Sequence, residues 1–548
     1  MNINKIAKYE IIEILFLVML FTSLFFFLNS NPYNNKITHD FPHSYFASDG
    51  FAYYFLSQHL NDIGNQKYHP SYSAAGHDNV LWIHGITIYA VTAIFARISG
   101  IEVYDSLYFI ATLMVVLNAL VVYLIIKDYN KKVAIISGAF FAFIFLKNFY
   151  FTYLWGQLGA VSGMLFMTGI IWCLMRIDLK KSYIFLIIFF TGTILAHIPE
   201  FFFAIGFIIV FLILKSIIES KIPWKNIKNL VISGIISLVI TSYYIILFIF
   251  GSYKSQGGSF EIVTVKEASV GLRVVSFSDF GIPIIILLLI GIGALLFYLF
   301  FKKKFHAAAV MALTYFVIGF GNYAGLGYRA FHVRAFWPFL IAPLFGIGIY
   351  FILKMVIKKI HIIFVLLISI TAFIFITSSF YLPVIGPGIL DKDHWDSFQW
   401  INTNTNESAR IFLFYGDGYS QDGRLIKRIT YFINPEDYID SLRNNKIKRY
   451  YKSELFTLHI GFLMYWKKPL TPGYYSIEEN IDFNGYQDVC SFDYIVFDKI
   501  SAVAPGLAQA NMYVEELFKK NNMIEVYSNA AVSIVKNNNP GGNCFEKL

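Results

Sequence analysis

The chain has 548 residues, of which 57% are hydrophobic and only 14% are charged, and its mean hydropathy is +0.58. Because the apolar residues are gathered in separate runs of near-spanning length, this composition excludes a soluble globular protein and predicts a polytopic α-helical membrane protein. The net charge of +9 does not indicate nucleic-acid binding, since the lysines and arginines fall mostly in short clusters between apolar runs, where they orient helices.

The first apolar run, IIEILFLVMLFTSLFFFL, predicts an uncleaved membrane anchor, because it lacks a small-residue cleavage site and further apolar runs follow it. Eleven such runs predict eleven spans. Their approximate bounds are 11–29, 105–126, 133–149, 158–175, 182–197, 201–218, 228–250, 282–301, 307–322, 335–354 and 361–382. One more apolar run, 81–98, is interpreted as a helix in or dipping into the outer leaflet, because a span there would put the basic loop KDYNKK outside.

The basic segments predict the orientation of the chain, since Lys and Arg stay on the cytoplasmic side. With the N-terminus MNINKIAKYE inside, the following segments share that side: KDYNKK (127–132), RIDLKKS (176–182), KSIIESKIPWKNIK (215–228), KKKFH (302–306) and KMVIKKIH (354–361). The outer face then receives the first loop (30–104), a late loop (251–281) and everything after 383. The expected localisation is a cell membrane, with a transmembrane domain at 1–383 and an extracytoplasmic domain at 384–548.

Polar residues of the first outer loop are the first candidates for chemistry in chain order. The stretch FASDGFAYYF (46–55) puts Asp49 at the head of an aromatic helix. Ser48 or Asp49 can cap that helix, and the carboxylate lies near the positive end of the helix dipole, so a cap and a functional role both remain open. The same loop holds His39, Asp40, His43, Asp78 and His84. This set of side chains either ligates a divalent cation or is simply solvated.

A second candidate is the turn AHIPE (196–200), which places His197 and Glu200 between two predicted spans. An ionisable pair at membrane depth is a functional hypothesis, and a capped tight turn is the alternative.

Two further candidates lie in the late outer loops. The segment EIVTVKEASV carries Glu261 and Glu267 around a short extended stretch. In GYRAFHVRAFWPF, the side chains of Arg329, His332 and Arg334 cluster at the outer mouth of a span. Arginine binds phosphate through paired donors, so this cluster suits a lipid-linked phosphate; interfacial snorkelling of the arginines is the alternative.

The composition changes after the last apolar run. LPVIGPGIL (382–390) is typical of a Pro/Gly linker, and residues 390–548 alternate polar and apolar residues in short stretches, which predicts a mixed α/β domain. Cys490 and Cys544 can pair there if the domain faces an oxidising compartment, whereas Cys173 lies inside a span.

Taken in order, these features resemble the GT-C superfamily of membrane glycosyltransferases, and most closely the catalytic subunit of oligosaccharyltransferase in its archaeal and bacterial single-subunit forms. SDGFAYYF (48–55) is similar to the Asp-Pro-Tyr/Trp-Phe motif of that family, with Gly50 where proline is usual. TVKE (264–267) is similar to its Ser/Thr-Val/Ile-x-Glu motif. VRAFWPFLIAPLFGIGIY (333–350) resembles the span that its substrate-contacting arginine opens.

The resemblance implies a GT-C-like domain with about eleven spans, followed by the extracytoplasmic mixed α/β domain. It implies that Asp49 is the catalytic carboxylate and a metal ligand, and that Glu267 is the acid of a mobile loop. A divalent cation, Mg²⁺ or Mn²⁺, would then bind to Asp49 and Glu267. Arg329 and His332 would contact the substrate, and Arg334 the acceptor. The implied partners are a polyprenyl-phosphate-linked sugar donor, a protein or glycan acceptor and membrane lipids.

The chain departs from the family at two motifs. The second outer loop, NFYFTYLWGQLG (148–159), has no acid where the family has a second metal-binding motif, which leaves Asn148 and Gln157 as the nearest polar side chains. A divalent site without those anionic ligands is weakened. LFYGDGYS (413–420) stands where the family has its Trp-Trp-Asp-Tyr-Gly motif, so recognition of an Asn-x-Ser/Thr sequence is not implied.

The leading functional hypothesis is an inverting transfer of a sugar or oligosaccharide from the lipid-linked donor to an acceptor on the outer face. Asp49 would act as a general base toward an acceptor hydroxyl, or would orient acceptor and phosphate if a metal binds. A transporter or flippase of lipid-linked sugars is the first alternative, and it predicts ionisable residues within the spans and two pseudo-symmetric halves. A non-catalytic relative acting as an assembly subunit is the second, which the missing acidic motif fits.

Overall fold

The computed structural model of the chain describes residues 3–34, 36–46, 48–64, 68–74, 76, 85–177, 179, 182–246, 281–303, 305–320, 337–383, 386, 388–414, 423–433, 438, 440, 442–444, 449–456, 484–500, 505–521 and 523–544.

The membrane part consists of apolar helices joined mostly by short turns. They are α1 (Ile3–Tyr33), α2 (Ser48–Ile63), α3 (Thr87–Ser99), α4 (Val103–Tyr129), α5 (Lys131–Ala139), α6 (Lys147–Leu154), α7 (Leu158–Leu174), α8 (Ser182–Ala196), α9 (Ile198–Glu219), α10 (Trp224–Ile240), α11 (Ile282–Leu296), α12 (Ala307–Gly319), α13 (Trp337–Val356) and α14 (Ile362–Phe380). Among the described residues, six helices are long and apolar enough to cross a membrane: α1, α4, α9, α11 with its π-helical end, α13 and α14. The polytopic helical fold class is confirmed, while the number of eleven spans stays a prediction.

The apolar run at 133–149 does not form one helix. After α5 ends, a 3₁₀ segment runs over Phe140–Phe145, and Leu146 leaves the helical conformation with φ −54° and ψ 131° before α6 begins. Aromatic packing accompanies this break, because the rings of Phe140 and Phe143 both contact Phe345 of α13, with centroid distances of 4.9 and 5.1 Å. Hydropathy does not predict this break in the helix, because all residues from Phe140 to Leu146 are apolar.

Helix α3 falls within the run that was interpreted as a helix at the outer leaflet. It has 13 residues, which at about 1.5 Å per residue is shorter than the roughly 30 Å of a bilayer core. Its length agrees with that interpretation, and its position in the leaflet stays a prediction.

A buried carboxylate joins the start of α1 to the end of α4. Glu13 is 3% exposed, accepts a 2.8 Å hydrogen bond from the Tyr123 hydroxyl, and forms ion pairs with Lys127 (2.9 Å) and Lys131. Because a buried carboxylate is stable only when it is paired, these contacts fix α1 antiparallel to α4.

The first outer loop meets the linker to the C-terminal domain. Tyr45, just before α2, forms a β-bridge with Gly388, and its carbonyl accepts a 2.8 Å hydrogen bond from the amide of Ile389. Gly388 has φ +90°, and a Cβ there would lie 2.5 Å from the Tyr45 carbonyl oxygen, so only glycine fits. The start of α2 and the C-terminal domain therefore lie on the same side of the helices.

The C-terminal part is a mixed α/β unit, as the sequence predicts. Its helices are α15 (Lys392–Asn404), α16 (Gly423–Ile426) and α17 (Pro505–Lys520), and its strands are β1 (Arg410–Phe414), β2 (Ile429–Ile433), β3 (Tyr450–Phe456), β4 (Asn484–Asp488), β5 (Tyr494–Asp498), β6 (Met523–Ser528) and β7 (Val532–Asn537). The strand order is β4-β3-β2-β1-β5-β7-β6, and β1 is parallel to both neighbours while the remaining pairs are antiparallel. The boundary at residue 384 stays a prediction.

Two cysteines that the sequence left open are joined in this unit. Cys490, between β4 and β5, forms a disulfide with Cys544, and both residues are buried. The bond ties the segment after β7 to the turn before β5, while Cys173 is buried in α7 with a free thiol.

Candidate active site

Asp49 lies in the first turn of α2 and is exposed. The second outer loop packs directly against it: a Cβ on Gly156, which has φ +90°, would collide with the backbone of Gly50 and lie 3.0 Å from the carbonyl carbon of Asp49. Gln157, one of the two polar candidates of that loop, follows this glycine at once. The backbone of the loop in which the resemblance implies a second acid therefore does reach the start of α2, and the residue that follows this contact is a glutamine and not an acid.

Tyrosine side chains pack close to Asp49. Tyr53, one helical turn after Asp49, stacks on Tyr89 of α3 with a centroid distance of 5.2 Å and an interplanar angle of 18°. Burial raises the pKa of Tyr89, and the negative charge of nearby Asp49 adds to this effect. Tyr244, after α10, also lies close enough to Tyr53 for their hydroxyls to interact. Flat rings beside a carboxylate form a surface suited to a sugar ring and its hydroxyls.

The turn between α8 and α9 lies near Tyr53. His197 and Glu200 are joined there by a hydrogen bond from Nδ1 to Oε2, with Glu200 fully buried and the His197 side chain 28% exposed. A Cβ on Gly159 of α7 would lie 2.5 Å from the Tyr53 hydroxyl and 3.4 Å from Cδ2 of His197. Tyr53 and His197 therefore meet at one point of α7. The candidate site groups the head of α2 with this turn, a grouping that the sequence does not reveal.

The histidines and acids of the first outer loop are arranged differently. Nδ1 of His39 lies 2.7 Å from Oδ1 of Asp105, whose other oxygen accepts a 2.8 Å hydrogen bond from the His39 amide. The ring of His43 stacks on His39 at 4.7 Å, and burial lowers the pKa of His43. Within the described part of the chain, no three His, Cys, Asp or Glu side chains group closely enough to hold a metal ion. The contacts of His39 and His43 are thus those of packed, hydrogen-bonded side chains.

Several predicted site residues lie outside the described residues: Glu267, Arg329, His332 and Arg334, together with Asp78, His84 and Glu261. Of the residues expected to act in catalysis, metal binding or substrate binding, Asp49 is therefore the one that the described ranges contain, and all of these roles stay predictions.

A cavity of about 300 Å³ lies on another face of α2, against the C-terminal domain. Its lining combines four aromatic side chains with carboxylates, amides, one leucine and one ammonium group: Asp40, Tyr54, Phe55, Gln58, Glu102, Tyr104, Trp395, Gln399, Leu425 and Lys427. The ring of Trp395 contacts Tyr54 and Tyr104 at centroid distances of 6.3 and 6.0 Å. This mixed lining suits a neutral polar molecule better than a lipid tail or a phosphate.

Comparison with known proteins shows which solved structures have a similar architecture. No protein-family model and no curated protein sequence matches the chain. Among solved structures, it is similar to the arabinofuranosyltransferase AftD from Mycobacteria (10% identity, 96% of this chain and 40% of that chain, TM-score 0.53). It is also similar to ArnT from Cupriavidus metallidurans in the apo state (10% identity, 97% and 98%, TM-score 0.52). A third similar structure is the apo oligosaccharyltransferase of Archaeoglobus fulgidus (12% identity, 90% and 72%, TM-score 0.50).

All three similar proteins are GT-C glycosyltransferases, and at 10–12% identity the likeness is one of fold. The sequence-based prediction is confirmed at this level: the chain has a divergent GT-C fold.

Proposed function

We propose that this chain is a membrane glycosyltransferase that transfers a sugar or oligosaccharide from a polyprenyl-phosphate-linked donor to an acceptor, with inversion at the anomeric carbon. The observation that carries the proposal is the position of Asp49. In a chain with a GT-C fold, this carboxylate lies in the first turn of α2, and the stacked side chains of Tyr53 and Tyr89 pack close to it. The fold alone is compatible with many activities, so the proposal rests on this site.

In the proposed reaction, the acceptor hydroxyl donates a hydrogen bond to Asp49 and is directed at the anomeric carbon. The carboxylate lies in the first turn of α2, where the helix dipole favours negative charge. The donor phosphate leaves on the opposite face, where we expect Arg329, His332 and Arg334 to neutralise its charge. The tyrosines beside Asp49 pack against the sugar ring.

The proposed outer location is supported by the C-terminal disulfide. Cys490 and Cys544 are bonded, and disulfides persist in oxidising compartments but are rare in the cytosol. Because the β-bridge between Tyr45 and Gly388 ties this domain to the start of α2, the same argument supports an outer position for Asp49.

A divalent cation held by Asp49 and Glu267 is part of the proposal only as a prediction. Within the described ranges no group of three ligating side chains occurs, so a cation at Asp49 would need Glu267, water or the donor phosphate to complete its ligands. The steps above therefore use only groups of the chain itself.

The test is transfer of radiolabel from a polyprenyl-phosphate sugar pool in membranes that contain or lack this chain, with and without chelator. Label entering a product only where the chain is present supports the proposal. Equal labelling in both membranes contradicts it and favours a transporter or an assembly subunit. Transfer that is retained in the presence of chelator would show that the reaction does not need a divalent cation.

A further inference from the structure

The pair His197–Glu200 is an ionisable pair at the junction of two apolar helices. Glu200 is completely buried, and a carboxylate in such a place is costly unless it is paired. Its hydrogen bond to Nδ1 of His197 supplies a pairing partner. A buried acid at membrane depth generally marks a functional site, but a helix cap would explain it equally well.

The contacts of the turn argue against a cap. His197 occupies the N-cap position of α9, yet its side chain makes no capping hydrogen bond. In a capping box, the acid three residues later would bond the backbone N–H of the N-cap residue. Here that N–H is bonded to the carbonyl of Thr193 at 3.0 Å, and the carboxylate of Glu200 is directed at the imidazole instead. The two side chains are thus hydrogen-bonded to each other, and the side chain of His197 does not cap the helix.

Two glycines of α7 make room for the pair. A Cβ on Gly163 would lie 3.0 Å from Cβ of His197 and 3.2 Å from Cβ and Cγ of Glu200, and Gly159, one turn earlier, faces Tyr53 and the ring of His197. The contact at Gly159 is made by Cδ2, the ring atom bonded to Nε2. With Nδ1 held by Glu200, the opposite side of the His197 ring lies at the point of α7 that the Tyr53 hydroxyl also approaches.

We propose that His197 is the catalytic base of the transfer reaction and that Glu200 is its positioning residue; this inference rests on the proposed function. A carboxylate on Nδ1 with Nε2 toward the substrate is the arrangement by which enzymes make histidine a base. Histidine is the side chain that most often acts as a general base in enzymes.

The proposed sugar transfer is a single displacement at the anomeric carbon. The acceptor O–H bond breaks and its proton goes to Nε2 of His197, while the acceptor oxygen forms the bond to the anomeric carbon. The bond between that carbon and the phosphate oxygen breaks, and the lipid phosphate leaves with the electron pair. Glu200 stabilises the imidazolium that forms, and Asp49 remains ionised and orients the acceptor.

Chemical rescue tests the inference in the radiolabel transfer assay. His197→Ala should lower the transfer rate by about 100-fold or more, and added imidazole should restore part of it, because the substitution leaves space where the ring was. Asp49→Asn should lose transfer without any response to imidazole. His361→Ala is the matched control, since His361 is also an N-cap residue without a side-chain capping bond but is exposed at the start of α14.

Glu200→Gln separates positioning from a purely structural role. It should lower the rate less than His197→Ala, and it should add little to the loss in the double variant, because the acid acts through the ring. Additive losses, transfer by His197→Ala close to that of the wild type, or no response of this variant to imidazole would overturn the inference. If His197→Ala does not accumulate in membranes, full transfer by Glu200→Gln would overturn it. Absence of transfer in the wild type would instead overturn the proposed function, and this inference with it.

Discussion

At the scale of single residues, the space at position 163 decides whether His197 and Glu200 keep their arrangement. Gly163→Ala would put a methyl group 3.0 Å from Cβ of His197, closer than packed carbon atoms normally approach. We expect sugar transfer to fall by about 10-fold or more, because small displacements of reacting groups are costly. The measurement is the initial transfer rate at equal amounts of membrane protein.

The matched control for this substitution is Gly206→Ala. Gly206 lies in α9, and a Cβ there meets no atom within 4 Å, so this variant should transfer sugar like the wild type. Equal rates for both variants would show that the packing around His197 is irrelevant to the reaction.

The individual residues differ in how far the sequence reveals them. Asp49 can be selected from sequence because it lies in a short contiguous motif. His197 and Glu200 appear in sequence only as a turn with two interpretations. Their relation to Tyr53 depends on α7, which brings distant segments together at Gly159, and no local pattern encodes such a contact.

At the scale of elements, the start of α15 carries a titrating group that affects stability. Burial alone would lower the pKa of His394, but its hydrogen bonds and charge interactions with Asp391 and Asp498 outweigh this and raise it from 6.5 to about 9. Nδ1 lies 2.8 Å from Asp391 and Nε2 lies 3.4 Å from Asp498 at the end of β5. The imidazolium thus joins α15 to the sheet.

A group whose pKa is raised in the folded state stabilises the fold at pH values below its pKa in the unfolded state. This stabilisation is lost as the pH rises through its pKa in the folded state. The contribution, on the order of 3 kcal/mol, is thus complete below pH 6.5 and lost as the pH rises through about 9. Thermal unfolding of the purified full chain should show a falling Tm between these values, and His394→Gln should remove most of the dependence. Parallel curves for the two proteins would contradict this assignment.

The elements themselves follow from sequence to different degrees. Long apolar helices such as α4 and α9 are predictable because hydropathy and length determine them. The break after α5 is not, because packing of Phe140 and Phe143 on α13 accompanies it and the residues stay apolar throughout. Strand β1 is buried along Ile411–Phe414, as is typical of a strand between two parallel neighbours, but periodicity alone does not distinguish so short an apolar run from a buried helical segment.

At the scale of the whole molecule, the disulfide reports on which side of the membrane the C-terminal domain lies. The chain has three cysteines, of which Cys490 and Cys544 are bonded and Cys173 is free. Alkylation of the denatured chain with a maleimide of high mass should add one label without reduction and three after it. Cys173→Ser should abolish the label that is added without reduction. Three labels before reduction would contradict an oxidising outer location.

The overall architecture was predictable because a GT-C fold depends on many apolar helices and a few ordered motifs. This redundancy explains why the fold is retained at 10–12% identity to solved structures. The acceptor of the proposed transfer is not predictable in the same way, since it would depend on a few side chains that differ from those of the family that the sequence resembles, such as Gln157 in the loop where that family has an acid.

The most direct test of the central claim compares transfer by Asp49→Asn with transfer by Asp128→Asn in the same membranes. Both substitutions remove one carboxylate charge. Asp128, however, pairs with Arg176 at the end of α4, whereas the start of α4 is the end that contacts the segment before Asp49. The account predicts that Asp49→Asn abolishes sugar transfer while Asp128→Asn retains it. Transfer by Asp49→Asn at the rate of the wild type would contradict the account and leave Asp49 as a residue that only stabilises the start of α2.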